Sequence, residues 1–235
     1  MPLTNPLALA VFWSAATIGF YLVARQIYRR WPRWFLSPLA VTPALLLALA
    51  TLLRTRYGEY MRGTHWIVLM LGPATVAFAV PIYEQREVIR RHWPVLLLGV
   101  VIGSGTAMAS AWAMASALGL SGALRLSLLP RSMSTPFAMS VSGDIGGSPD
   151  LTAVFVMMTG ICGAALGELM LNWLPLRSTL ARGALLGMGA HGAGTAKARE
   201  IGEEEGSIAG LVMVFAGLLN VLAAPILAYG LKGGF

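Results

Sequence analysis

Long apolar runs separated by short, arginine-rich polar stretches dominate the chain. A membrane-spanning helix needs roughly 20 mostly apolar residues. The pattern predicts such helices over Leu7 to Ala24, Pro38 to Leu53, His65 to Tyr83, Trp93 to Leu118, Leu151 to Leu174 and Ile208 to Leu231. Two further segments are apolar but interrupted. Leu126 to Val141 is short and broken by Ser132-Met133-Ser134-Thr135-Pro136, which predicts a re-entrant or broken element. Leu180 to Lys197 is opened by Ala190-His191-Gly192-Ala193-Gly194-Thr195-Ala196-Lys197. The third run carries its own interruption at Gly72-Pro73, where proline removes a backbone donor and disfavours helix in the residue before it. The expected fold is an all-α polytopic membrane protein with about seven to eight membrane segments.

Composition agrees. The chain is 57% hydrophobic and 11% charged, against about 25% charged residues in a soluble domain, so residues 1–235 read as one integral membrane domain. The net charge of +7 does not point to nucleic acid. Its arginines sit in clusters between apolar runs, as topology determinants beside anionic headgroups do. Arg25, Arg29, Arg30 and Arg33, interleaved with Trp31 and Trp34, place the first loop in the cytoplasm and the N-terminus outside. No basic region precedes the first run, so it reads as a retained helix rather than a cleaved signal. The polar connections are expected at Arg54 to Gly63, Glu84 to His92, Gly143 to Pro149 with Asp144, and Arg199 to Glu205 as a solvated acidic face. A single cysteine, Cys162, excludes intrachain disulfides and cysteine-cluster metal sites.

Laid side by side, residues 1–119 and 126–231 share an order of apolar helix, broken helix, charged loop and small-residue helix. Gly72-Pro73-Ala74-Thr75 and His191-Gly192-Ala193-Gly194-Thr195 fall at corresponding places. Interrupted segments at matching positions of two halves point to a transporter site at a repeat interface. Were Leu7 to Ala24 the counterpart of Leu126 to Val141, the repeat would be inverted.

The three breaks carry the candidate chemistry. A helix that restarts inside a membrane exposes its first N–H groups and the positive end of its dipole, which suits a small organic anion. Thr135 is expected as N-cap with Pro136 at the first helical position. Hydroxyls of Thr75, Ser132, Ser134 and Thr195 surround these starts. Arg131 and Lys197 flank two of them, either to neutralise a carboxylate or to snorkel to the interface. His191 is either a proton carrier or an interhelical hydrogen-bonding group. Glu168 lies in an apolar run without polar neighbours and ranks below it, and Asn220 reads as an interhelical hydrogen bond. No phosphate loop, nucleophile elbow or metal-ligand spacing occurs, so neither an enzyme nor a cofactor is expected.

Taken together, Leu129-Pro130-Arg131-Ser132-Met133-Ser134-Thr135-Pro136-Phe137-Ala138-Met139, Gly146-Gly147, Leu151-Thr152-Ala153, Ala181-Arg182-Gly183, His191-Gly192-Ala193-Gly194-Thr195-Ala196 and Glu205-Gly206 resemble the LrgB/CidB family. Gly72-Pro73-Ala74-Thr75-Val76-Ala77 with Pro81 and Tyr83 fits as well. The family includes bacterial antiholin-like regulators of murein hydrolases that work beside a smaller LrgA/CidA-type membrane protein. It also includes the plastid glycolate/glycerate translocator and members implicated in pyruvate uptake. Arg131 stands where family members commonly have lysine, and Lys197 where arginine is common; both keep the positive charge. The resemblance implies a bacterial inner-membrane protein with an LrgA/CidA-like partner or none.

Two functions follow as expectations. The first is a secondary transporter of small monocarboxylates such as glycolate, glycerate, lactate or pyruvate, elevator-like and homodimeric by analogy. Its site would draw on Gly72, Pro73, Thr75, Arg131, Ser132, Ser134, Thr135, Pro136, His191, Gly192, Gly194, Thr195 and Lys197. The alternative is a holin-like or antiholin-like regulator of cell lysis, which gives no reason for three polar helix breaks.

Overall fold

The computed structural model describes residues 6–77 and 79–231, all helix and connection with no strand among them. Five stretches, Leu7–Arg30, Tyr57–Glu84, Arg86–Ala117, Pro149–Trp173 and Glu203–Gly230, are long and apolar enough to cross a bilayer. The protein is an all-α, multi-pass membrane protein. Its chain divides into two compact units, 1–76 and 77–235.

The first unit holds α1 (Pro6–Arg30), α2 (Pro38–Leu52), α3 (Tyr57–Leu69) and most of α4 (Leu71–Ala77). Trp13 is its buried anchor, edge-on to Tyr60 at 5.3 Å. A Cβ on Gly63 would come within 2.9 Å of the Leu9 carbonyl, so α1 and α3 pack backbone to backbone there. Ser14 Oγ accepts from Trp66 Nε1 at 2.7 Å. The connection expected over Arg54 to Gly63 is shorter than its polarity implied, because α3 already begins at Tyr57 with Glu59 reaching back to the Arg56 N–H at 3.2 Å.

The second unit holds α5 (Ala79–Glu84), α6 (Arg86–Ala117), α7 (Gly122–Leu128), α8 (Thr135–Ile145), α9 (Pro149–Trp173), α10 (Thr179–Ile201) and α11 (Glu203–Leu231). Three expected loops are corrected here. Glu84 to His92 is largely the first turns of α6, since a mixed-charge segment is also a good exposed helix. Gly143 to Pro149 shrinks because α8 runs to Ile145 and closes on Gly146, whose φ of 89° is the left-handed C-cap that glycine adopts without penalty. In the acidic stretch Arg199 to Glu205, Glu205 is buried rather than solvated.

Both interrupted segments fold back on themselves. In the first hairpin, α7 leads through a 3-10 turn (Leu129–Ser132) to α8, and the end of α8 returns beside α7: Ser148 N–H donates to Ser127 Oγ at 2.7 Å. Thr152 Oγ1 lies 2.7 Å from Ser142 Oγ and 3.0 Å from the carbonyls of Ser127 and Ser148. This fully buried knot of hydroxyls ties α7 and α8 to the start of α9. In the second hairpin, α10 is two helices, 179–190 and 192–201, joined at His191. A Cβ on Gly194 would overlap the Leu186 carbonyl, so the second arm returns against the first. Its base meets the far end of α9, where Lys197 Nζ pairs with Glu168 at 3.1 Å and with Glu200 at 3.0 Å.

The hairpins therefore approach α9 from opposite ends. Each is followed by a long span. α9 runs from the base of the first toward the base of the second, while α11 starts beside Gly183 and Arg199 at the second and ends among Leu129, Val141 and Ile145 of the first. Hairpin plus span thus occurs twice in opposite orientation within the second unit, 179–201 set against 122–145, which is a different pairing from the expected match of 126–141 with 7–24. Glycines make the contacts close: a Cβ on Gly163 would overlap the Gly189 carbonyl, and one on Gly187 the Ala209 carbonyl. α6 joins this bundle through Asn220 Nδ2, which donates to Ser104 Oγ at 2.9 Å, the interhelical bond expected of that asparagine.

Two tests separate these forces. Thr152→Val strands buried oxygens and should destabilise the detergent-solubilised protein by about 2 kcal/mol, whereas Glu168→Gln, at a half-exposed pair, should cost less than about 1 kcal/mol and respond to salt. Equal losses in thermal unfolding would contradict the contrast. Gly187→Ala should be poorly tolerated because rigid backbone lies in its way, while Gly105→Ala, with nothing within 4 Å, should be neutral or stabilising by up to about 1 kcal/mol.

Candidate functional site

The tip of the first hairpin is made by sequence that cannot stay helical. Pro130 is the second residue of the 3-10 turn, Met133 and Ser134 are extended, and Pro136 fixes the first turn of α8. The N-cap is Ser134, not the expected Thr135, which is the first helical residue; Pro136 follows at the second position, where its missing N–H is equally harmless. Ser134 does not cap with its side chain. Ser132, Thr135 and Pro136 are half-buried beside it. The Phe137 ring of α8 packs closely against Gly217 of α11, where a Cβ would overlap it.

The tip of the second hairpin is His191 itself, at φ 40° and ψ −117°. A non-glycine residue in such a region costs on the order of 1–3 kcal/mol and persists only where its surroundings over-determine it. Here Gly194 supplies the close approach to Leu186, and Thr195 Oγ1 donates to the His191 carbonyl at 2.9 Å. Gly192 is exposed and open, with no atom within 4 Å of a Cβ placed on it.

The tips meet at the middle of α9. Arg131 Nη1 donates to Thr159 Oγ1 at 3.4 Å. A Cβ on Gly160 would stand 3.5 Å from the His191 ring, and the imidazole lies against Arg131, within hydrogen-bonding reach of its backbone carbonyl. Ser134 Oγ and His191 Nε2, in residues only 7% and 3% exposed, have no hydrogen-bond partner among the described residues. A buried polar group left unsatisfied costs about 1–3 kcal/mol. One of them sits at the N-cap position of α8 and the other lies by Arg131; a small anion is the kind of guest that could satisfy such a pair.

The other expected residues are placed differently. Lys197 stands at the base of its hairpin, its ammonium engaged by Glu168 and Glu200, in a polar cleft of about 410 Å³ that Arg182 and Asn172 also line. Glu168, ranked low for want of polar neighbours, has Lys197 as its ion-pair partner in space. The hydroxyl of Thr195 is spent on the backbone, as is that of Thr75, which donates to the Leu71 carbonyl at 2.7 Å. Gly72, Pro73 and Thr75 lie on α4, restarted after Met70, and belong to the first unit. Thr159 and Gly160 were not anticipated; a lone threonine and glycine inside an apolar helix carry no signal until the hairpins close on them.

The LrgB-like family model matches residues 17–229. The chain is 42% identical over 211 residues to the uncharacterized protein YwbG of Bacillus subtilis (strain 168), covering 90% of this chain and 94% of that one. It is 38% identical over 221 residues to YxaC of the same organism, an uncharacterized protein, covering 94% and 96%. It is 35% identical over 207 residues to an uncharacterized protein of Haemophilus influenzae, covering 88% and 89%. No solved structure matches it. The sequence resemblance and these matches agree: the chain belongs to the LrgB-like family.

Proposed function

We propose that this protein is a secondary transporter of small monocarboxylates of the glycolate, glycerate, lactate or pyruvate type. The observation that carries the reading is the meeting of two oppositely directed hairpin tips at mid-α9, with Ser134 Oγ and His191 Nε2 buried and unpartnered beside Arg131. The carboxylate is held by the first N–H groups of α8, Ser134 Oγ and the Arg131 guanidinium, in charge-assisted bonds. His191 Nε2 faces the neighbouring oxygen of the substrate and is the candidate proton carrier. Irregular backbone at a repeat interface, with helix starts aimed at an anion, is the arrangement secondary transporters use for alternating access, here elevator-like. No bond of the substrate is made or broken, and no cofactor takes part. A regulator of lysis has no use for two stranded polar groups in a buried tip. The setting is the bacterial inner membrane with the N-terminus outside, and the working form is a homodimer, with or without an LrgA/CidA-like subunit.

The purified chain in proteoliposomes should accumulate radiolabelled glycolate or pyruvate saturably. Ser134→Ala and Arg131→Gln should each lower uptake at least about tenfold, the scale of one hydrogen bond to a charge. Under a pH gradient, His191→Gln should abolish gradient-driven accumulation while leaving counterflow; undiminished accumulation removes the proton-carrier role. Solute-nonspecific leakage without saturable uptake would overturn the transporter.

A further inference from the structure

A cleft at the start of α6, away from the hairpin tips, combines charges of both signs with an apolar continuation. It measures about 820 Å³ and is lined by Glu87, Arg90, Arg91 and His92 of α6, by Ser178 and Thr179 at the start of α10, and by Glu204 of α11 over Val88, Leu180 and Ile208. Among the described residues, Glu87, Arg90, Arg91 and Glu204 enter no ion pair, although they share this cleft. Arg90 also borders a second groove, of about 680 Å³, formed by Ala79, Ile82, Tyr83, Ile89 and Trp93 with Arg86. Tyr83 and Trp93 are exposed, and the Arg86 guanidinium stacks on the Tyr83 ring at 4.7 Å. Aromatic rings beside arginines at the end of a spanning helix mark headgroup level. The polar cleft and the apolar groove thus sit side by side at that level, sharing Arg90.

We propose that this pair of clefts is a phospholipid site whose occupant carries a primary ammonium headgroup, a phosphatidylethanolamine. Its phosphate lies between Arg90 and Arg91, its ammonium donates to Glu87 and Glu204, and an acyl chain follows Ile82, Ile89 and Trp93 into the bilayer. A purely anionic headgroup leaves the two carboxylates facing negative charge. A choline headgroup has the charge but no N–H to donate, so it forfeits the charge-assisted bonds.

The test uses the full chain, delipidated and then supplied with phosphatidylethanolamine, phosphatidylcholine or phosphatidylglycerol of matched acyl chains, with binding read by native mass spectrometry and thermal shift. The ethanolamine lipid should bind about tenfold more tightly than the choline lipid, the worth of one hydrogen bond to a charge. The double variant Glu87→Gln/Glu204→Gln should erase that preference, and Arg90→Gln/Arg91→Gln should weaken all three lipids. Equal binding of the ethanolamine and choline lipids, tightest binding of the glycerol lipid, or a preference that survives the double glutamine variant would each overturn the proposal. So would soluble phosphoethanolamine binding as tightly as the lipid, since the groove would then contribute nothing. All four residues are exposed, and unchanged unfolding in choline lipid checks that each variant is folded.

Discussion

Backbone polar groups in hydrocarbon need partners from the protein itself, and the second unit breaks two helices in spite of that. It can do so because each break is wrapped by other helices. The glycines of α9 and α10 let backbones approach so closely that no side chain fits between them at Gly163 and Gly187. Opened peptide groups at Met133, Ser134 and His191 are therefore enclosed by protein rather than lipid. If this packing loosened, the helix breaks would face hydrocarbon with unsatisfied donors, and continuous helices would be preferred.

The two hairpins are anchored by different physics. The first rests on buried hydroxyls of Ser127, Ser142 and Thr152 and on an apolar cluster with Met133, Phe137 and Ala224. Neither depends on ionic strength. The second packs backbone to backbone on α11 at Gly187 and on α9 at Gly163, and adds at its base a partly exposed ion pair, Lys197 to Glu168. Charges in that setting are screened and contribute little net stability. The strained residue, His191, is the tip of this second hairpin, and the close packing of its arms is what holds it there.

Much of this was legible in the residues. Runs of apolar residues located the five long helices, although the expected span from Pro38 is only the 15-residue α2, and the Ser-Met-Ser-Thr-Pro and His-Gly-Ala-Gly-Thr interruptions located both tips. What periodicity cannot supply is direction. Nothing in Leu180 to Lys197 says that the chain turns back at His191, because the turn is fixed by Gly194 fitting against Leu186, a contact in space. The same limit hid the partnership of Glu168 with Lys197, 29 positions apart in sequence but one turn of packing apart in the fold. Polarity misled at Glu84 to His92 and at Glu205, where charged side chains accompany helix and burial rather than loop and solvent.

The 11 residues of α8 extend about 16 Å, roughly half of a hydrocarbon core of about 30 Å. The second hairpin reaches the same level of α9 from the other end. A charge held between the tips therefore lies near the electrical midpoint of the membrane, and an anion arriving from either side crosses about half of the potential, on the order of 1 kcal/mol per 100 mV. An anion carried alone through such a site would feel the membrane voltage on entry and on exit alike, whereas one carried together with a proton would cross as a neutral pair and feel neither.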